Sequence, residues 1–332
     1  MPQFSDIVGH EQIIDHMRNA IRMNKVSHAY ILNGPERSGK MMLAESFAAA
    51  LQCERHDGEI CGRCRSCRQA QGKNHPDIIY VTHDKANTIS VDDVRHQIND
   101  SVVIKPYSED SQYKVYIVNE AEKMNEQAQN ALLKTIEEPP AYAVIILLTT
   151  NAEAFLATIR SRCVTLNLKA VSDEKIHSFL MKKYQIVDYR ADVCTAFAQG
   201  NVGKAIALAG SSEFNGLKDH ITMLVRKIPD VEICDLMQEV KELDEFQETD
   251  DLFDLLLMWY RDVLVCKAGG RNDGLIFKDQ AHEIEKQAGN ASYRGLEVIL
   301  EAIEGARRRI RANVNKDMTL ELLLLTIKEN MQ

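Results

Sequence analysis

Gly34-Pro35-Glu36-Arg37-Ser38-Gly39-Lys40-Met41 has the G-x-x-x-x-G-K spacing of a phosphate-binding loop and ends on methionine where that loop ordinarily carries serine or threonine. In such a loop the glycines let backbone N–H groups close around phosphates, the lysine reaches the terminal phosphates, and the hydroxyl binds Mg²⁺. A thioether is a poor ligand for a hard cation. Gly34, Ser38, Gly39 and Lys40 therefore keep a phosphate cradle, while Met41 removes a metal position. The flanks agree with the motif. Residues 28–33 (His-Ala-Tyr-Ile-Leu-Asn) form a short apolar run suited to a buried parallel strand, and residues 40–52 are strong helix formers. Strand, loop and helix in that order predict an α/β P-loop domain with a parallel sheet and a helix N-terminus aimed at an anion.

A chain of 332 residues predicts two or three domains. No window approaches the run of about 18 apolar residues that a membrane helix needs, and the first residues lack the charged-then-apolar layout of a secretion signal. The expectation is a cytoplasmic chain without a membrane partner. A net charge of −9 argues against a free-standing nucleic-acid binder that works by charge alone.

Four of the eight cysteines, Cys53, Cys61, Cys64 and Cys67, fall close together. In a cytosolic chain such clustering points to metal before disulfide. Four thiolates can enclose Zn²⁺ tetrahedrally with no position left for water, so the expected zinc is structural and the module spans residues 53–72. A set of reduced thiols, a redox switch, or an iron–sulfur cluster stays open on the spacing alone. Arg55, Arg63, Arg65 and Arg68 would make this insertion a small positive knob.

Further runs at 78–81, 114–120 (apolar, ending in polar residues), 144–150 and 164–168 predict the remaining strands. Between them, Ser90 with Asp92 and Asp93 reads as a capped helix start, and a helix at 125–136 ends before Pro139 and Pro140. In P-loop ATPases the strand end corresponding to residues 119–120 supplies an aspartate to the Mg²⁺ shell and often a glutamate that polarises water. Here Asn119 stands in place of the aspartate and Glu120 is retained, so a second metal position is weakened. Asn151, at the exit of the next strand, can either reach a γ-phosphate or simply form a turn. From residue 172 strand-like runs vanish and helical patterns take over, with a hinge signal at Gly210-Ser211-Ser212. The predicted organisation is a P-loop core at 1–170, a helical lid at 171–210 and an all-α C-terminal domain at 211–332. Arg307, Arg308, Arg309 and Arg311 lie beside Glu301 and Glu304, which reads as a mixed solvated face rather than a nucleic-acid patch.

Taken together, His28 to Pro35, the cysteine module, Asn130 to Pro140 and Ser161-Arg162-Cys163 resemble the delta-prime family of bacterial DNA polymerase III clamp-loader subunits, which are AAA+ proteins. The matching motifs span residues 6–168; the helical remainder agrees only in length and general pattern. The resemblance implies that Arg162 acts as an arginine finger, reaching in trans to the ATP of a neighbouring motor subunit. It implies that residues 6–11 pack near an adenine, that Lys204 replaces a phosphate-sensing arginine in the lid, and that the last domain joins a collar. The implied partners are gamma/tau motor subunits and delta in a hetero-oligomeric ring, with the sliding clamp and primer–template DNA reached through the complex. No ATP turnover by the chain itself is expected, within a multisubunit DNA-directed DNA polymerase, a nucleotidyltransferase. Whether ATP or ADP stays bound in the loop is left open by the sequence. Two other readings compete: an active clamp-loader motor, against which Met41 and Asn119 count, and a zinc-containing DNA-binding protein, against which the acidic balance counts.

Overall fold

The computed structural model describes residues 3–83, 85, 88–108, 111–244, 249–269, 274–312 and 314–331. Five apolar segments form one parallel sheet: β1 (Ala29–Asn33), β2 (Ile78–Val81), β3 (Lys114–Val118), β4 (Ala143–Thr149) and β5 (Val164–Asn167). The strand order is β2-β3-β4-β1-β5. Strand β1 lies between β4 and β5, pairing β4 from Ala29↔Ile145 to Asn33↔Thr149, and β5 from Tyr30↔Val164 to Asn33↔Asn167. Successive side chains point to opposite faces of a strand, so both faces carry a core. Tyr30, Leu32, Ile146 and Leu148 pack with helices α1 (Glu11–Arg22) and α2 (Lys40–Leu51). Ile31, Ile145 and Leu147 pack with the helical runs at 91–102 and Glu126–Glu137 on the other side. Burial on both faces explains why β4 is almost continuously apolar, whereas the edge strand β5 alternates, with Thr165 and Asn167 exposed.

The sequence reading placed residues 119 and 120 at the end of a strand. They stand just beyond it, because Glu120 takes φ +49° and turns the chain out of the sheet. Ser90 caps its helix as expected: its hydroxyl accepts from Asp93 N–H at 3.3 Å, and the Asp93 carboxylate accepts from Ser90 N–H at 2.8 Å.

The chain divides into two compact units, residues 1–176 with 200–204, and residues 177–199 with 205–332. Nearly all of the second is helical. Its core holds Trp259, whose indole donates to Gln287 Oε1 at 2.9 Å, while the Gln287 amide donates to Val225 O at 2.8 Å. In helix Lys316–Asn330, Leu320, Leu323, Leu324 and Ile327 are buried and Leu322 is exposed. Arg307 pairs with Asp254 and Arg311 with Asp250, as a mixed charged face requires. Among the described residues no helix is long and apolar enough to cross a membrane.

Candidate functional site

The loop from Gly34 to Met41 joins β1 to the N-terminus of α2 at the C-terminal edge of the sheet. Arg37 and Gly39 hold left-handed backbone at φ +57° and +94°, which curls the loop over the helix end. Ser38, Gly39, Lys40, Met41, Asn119 and Glu120 line one cavity of about 480 Å³. Met41 also packs against the apolar core beneath, which accounts for the thioether at a position that would otherwise face a cation. Lys40 Nζ donates to Gly34 O at 2.5 Å and Pro35 O at 2.8 Å. Burial lowers the Lys40 pKa, against the pull of Glu122 and Glu36. Gly34 has no room for a side chain, since a Cβ there would lie 2.9 Å from Leu168 Cβ. Ser38 Oγ is buried without a hydrogen-bond partner among the described residues, so the loop keeps one polar group that suits a phosphate oxygen. Met41 and Asn119 supply no anionic or hydroxyl ligand at the two positions where the sequence pattern expects them.

Glu122 and Gly203 also take part in the site, roles that the sequence reading did not assign to them. Glu122 lines the same cavity, and its Oε1 accepts from Thr150 N–H at 3.1 Å and Thr150 Oγ1 at 2.6 Å. Burial works to raise its pKa, but these hydrogen bonds outweigh it and the carboxyl sits below its ordinary value. Gly203 also lines the cavity: a Cβ there would lie 2.2 Å from Arg37 O, so only glycine allows this approach. Asn201 Nδ2 donates to Glu36 O at 2.7 Å, and Asn201 Oδ1 accepts the backbone N–H of Lys204 at 3.0 Å. Asn151 is outside the cavity lining, and its Oδ1 accepts from Glu153 N–H at 3.0 Å. Residues 9–13 line a separate cavity of about 270 Å³ with residues 169–172.

Arg162 lies at the opposite edge of the sheet, in the turn between the helical turn Ala157–Arg160 and β5. Gly34 follows β1 beside Leu168, so the length of β5 alone puts about 13 Å between Arg162 and the chain's own loop. Its side chain is 41% exposed, and the guanidinium donates to Thr158 O at 3.1 Å and lies 3.2 Å from Glu137 Oε1. The segment at residues 154–156, which leads into the helical turn Ala157–Arg160, is held from inside by Gln129, which the sequence reading also missed. The Gln129 amide donates to Met124 O and Ala154 O at 3.1 Å, and its Oε1 accepts from Leu156 N–H at 2.8 Å. A polar residue on the buried face of an amphipathic helix was the available signal.

The cysteine module hangs from the C-terminus of α2. Cys53 follows that helix, Cys61 lies in the loop, and Cys64 and Cys67 open α3 (Arg65–Gln71), where Cys64 caps the helix by accepting from Cys67 N–H. One sulfur from each lies within 4.8 Å of the others, so the four can hold a metal ion. The backbone N–H of Arg63 brings the Cys61 thiol down to about 6, against burial and with help from Cys64 N–H; burial pushes Cys53 and Cys67 up. Arg55, Arg63, Arg65 and Arg68 are exposed around it.

Family models described as "DNA polymerase III, delta subunit" and "DNA polymerase III, delta subunit, C terminal" match residues 9–172 and 231–329. The chain belongs to this family of clamp-loader subunits. It is 28% identical over 324 residues to the delta' subunit of DNA polymerase III from Bacillus subtilis (strain 168), covering 96% of each chain. It is 29% identical over 304 residues to the tau subunit of the same organism, covering 85% of this chain and 53% of that protein. The clamp-loader chain thus spans about half the length of the tau relative and nearly all of the delta' relative. Among solved structures, a gamma-subunit-related protein from Thermotoga maritima is 20% identical, with 97% of this chain and 99% of that one covered at a TM-score of 0.43. The five-stranded parallel sheet, the cysteine cluster and the family match over the helical C-terminal region agree with the α/β core, cysteine insertion and helical remainder that the motifs predicted.

Proposed function

We propose that this chain serves the clamp loader of DNA polymerase III as a subunit that does not itself hydrolyse ATP and that lends Arg162 in trans to a neighbouring motor subunit. The observation that carries this reading is the position of Arg162: exposed, on the sheet edge away from the chain's own loop, and held by groups it can release. A guanidinium there can neutralise charge developing on a phosphoryl group held by another chain, an effect worth ~10³–10⁵ in rate. The partners are gamma/tau-type motor subunits and delta in a hetero-oligomeric ring. Through that ring the chain acts on the sliding clamp and on primed DNA. A finger that reaches forward from one subunit to the next requires a heterologous interface. Residues 171–210 serve as the lid and 211–332 as the collar domain, with Lys204 in the lid as the remnant of a phosphate sensor.

The active-motor reading draws support from the similarity to the tau subunit. Met41 and Asn119 speak against it, because a motor needs both metal positions. The purified chain, assayed for Mg²⁺-dependent ATP turnover after removal of trace ATPases, is expected to show none above background. Sustained turnover abolished by Lys40→Ala overturns the reading.

The cysteine centre suits structural Zn²⁺. A tetrahedron of sulfurs at about 2.3 Å from zinc has edges of about 3.8 Å, and Cys61 Sγ lies 3.8 Å from Cys67 Sγ. Metal analysis of wild type against Cys64→Ser is expected to show the loss of this zinc, together with a lowered melting temperature for the module.

A further inference from the structure

A second group of potential ligands lies in the helical part of the molecule. His177 is carried by helix Asp173–Tyr184, and Asp188 and Asp192 stand one turn apart on helix Asp188–Ala198. Residues four apart share a helix face, so both carboxylates turn toward the same imidazole. His177 Nε2 lies 3.2 Å from Asp188 Oδ1 and 3.4 Å from Asp192 Oδ1. We propose that His177, Asp188 and Asp192 form a divalent transition-metal site, suited to Zn²⁺, that ties these two helices together.

Three observations carry it. First, the spacing is that of a coordination shell: zinc bonds of about 2.0–2.2 Å to nitrogen and oxygen give tetrahedral donor–donor edges of about 3.4 Å. Second, His177 Nε2 is buried and has no hydrogen-bond partner among the described residues, although two carboxylates stand beside it. The ring nitrogen is aligned to donate to neither. A cation between the three atoms satisfies all of them at once. Third, Lys278 Nζ lies 2.9 Å from Asp192 Oδ2. It engages one oxygen of that carboxylate and leaves the other turned to His177, which is how an outer partner orients a metal ligand. The two carboxylates exceed the charge of Lys278 by one, so a divalent ion is not repelled. Asp188 is 68% exposed, so water has access to the remaining coordination position. An imidazole with two carboxylates favours Zn²⁺ or a similar transition metal over Mg²⁺ or Ca²⁺, which prefer oxygen alone.

A similar cluster fails the same geometric test. His220 Nε2 lies 3.3 Å from Glu239 and His220 Nδ1 lies 3.9 Å from Glu242, so the two carboxylates approach different ring nitrogens. A single ion cannot take both nitrogens of one ring.

The test uses the full chain and Zn²⁺ alone. Calorimetric titration after the cysteine centre is filled should reveal one further zinc. Asp188→Asn, chosen because the side chain is exposed and its loss leaves packing intact, should weaken that binding by at least about tenfold. His177→Gln should abolish it. Cadmium substitution read by ¹¹³Cd NMR separates the two sites, since four-sulfur and nitrogen–oxygen shells resonate far apart; the variants should lose only the nitrogen–oxygen line. Absence of a second zinc in wild type overturns the proposal. So does a second zinc whose affinity and cadmium line survive both substitutions in variants that melt as wild type.

Discussion

The two edges of the parallel sheet carry opposite kinds of polar chemistry. At the C-terminal edge, Lys40 is bound to the carbonyls of its own loop, Asn201 clasps Glu36 O, and Gly203 closes against Arg37. At the N-terminal edge, Arg162 is exposed and rests on Glu137 and the Thr158 carbonyl. A half-exposed ion pair of this kind contributes about 0–1 kcal/mol. A guanidinium aligned on a transferring phosphoryl group contributes about 4–7 kcal/mol to lowering the barrier. The second outweighs the first, so under the proposed function Glu137 would hold the arginine ready without trapping it. On that proposal, one sheet retires a nucleotide site at one edge and keeps a working residue at the other.

The largest effect is expected from Arg162→Ala. The reconstituted clamp loader should assemble normally, while ATP hydrolysis at the motor site facing this chain falls by about 10³-fold, read as single-turnover phosphate release. Arg162→Lys should recover little of it, because an ammonium lacks the planar fork that engages two oxygens together. Unchanged hydrolysis in the alanine variant breaks the division between the edges.

A smaller effect tests how Arg162 is placed. Gln129→Leu leaves Ala154 O, Met124 O and Leu156 N–H without their side-chain partner, at a cost of about 1–3 kcal/mol for buried groups. The melting temperature of the isolated chain should drop. Phosphate release in the complex should fall by about tenfold, since a displaced turn carries the arginine with it. The conservative Gln129→Glu can still accept from Leu156 N–H and should recover part of the activity. A variant that melts earlier with unaltered turnover reduces Gln129 to a purely structural role.

What the sequence reveals and conceals follows from the range of each interaction. The loop, the flanking strand and helix, and the cysteine module depend on neighbours within a few residues, so spacing and apolar runs expose them. The nucleotide loop was half legible: Met41 and Asn119 are single-letter departures from a known pattern. Two other residues of the same cavity are not legible that way. Glu122 finds Thr150 from another strand end, and Gly203 meets Arg37 across more than 160 residues of chain. Neither departs from any local rule. The same holds for Gln129, whose partners Ala154 O and Leu156 N–H lie 25 and 27 residues further along the chain. Helix Ser212–Lys227 was hidden for a different reason, since Gly210-Ser211-Ser212 reads as a break and Ser211 is in fact the cap that starts the helix.

The smallest effect is the one that most sharply separates the edges. In a working motor, removing the P-loop lysine abolishes turnover, because that ammonium holds the β- and γ-phosphates. Here Lys40 Nζ is committed to Gly34 O and Pro35 O, and its neighbours Met41 and Asn119 offer no metal shell. Lys40→Ala should therefore leave turnover by the reconstituted complex within about twofold of wild type, a barrier change of less than 1 kcal/mol. The isolated chain should lose no more than about 1 kcal/mol of stability, since the lysine is half-buried and water can replace it at both carbonyls. If Lys40→Ala instead lowers turnover as far as Arg162→Ala does, the chain burns nucleotide at its own loop, and the contrast between its edges is one of degree rather than kind.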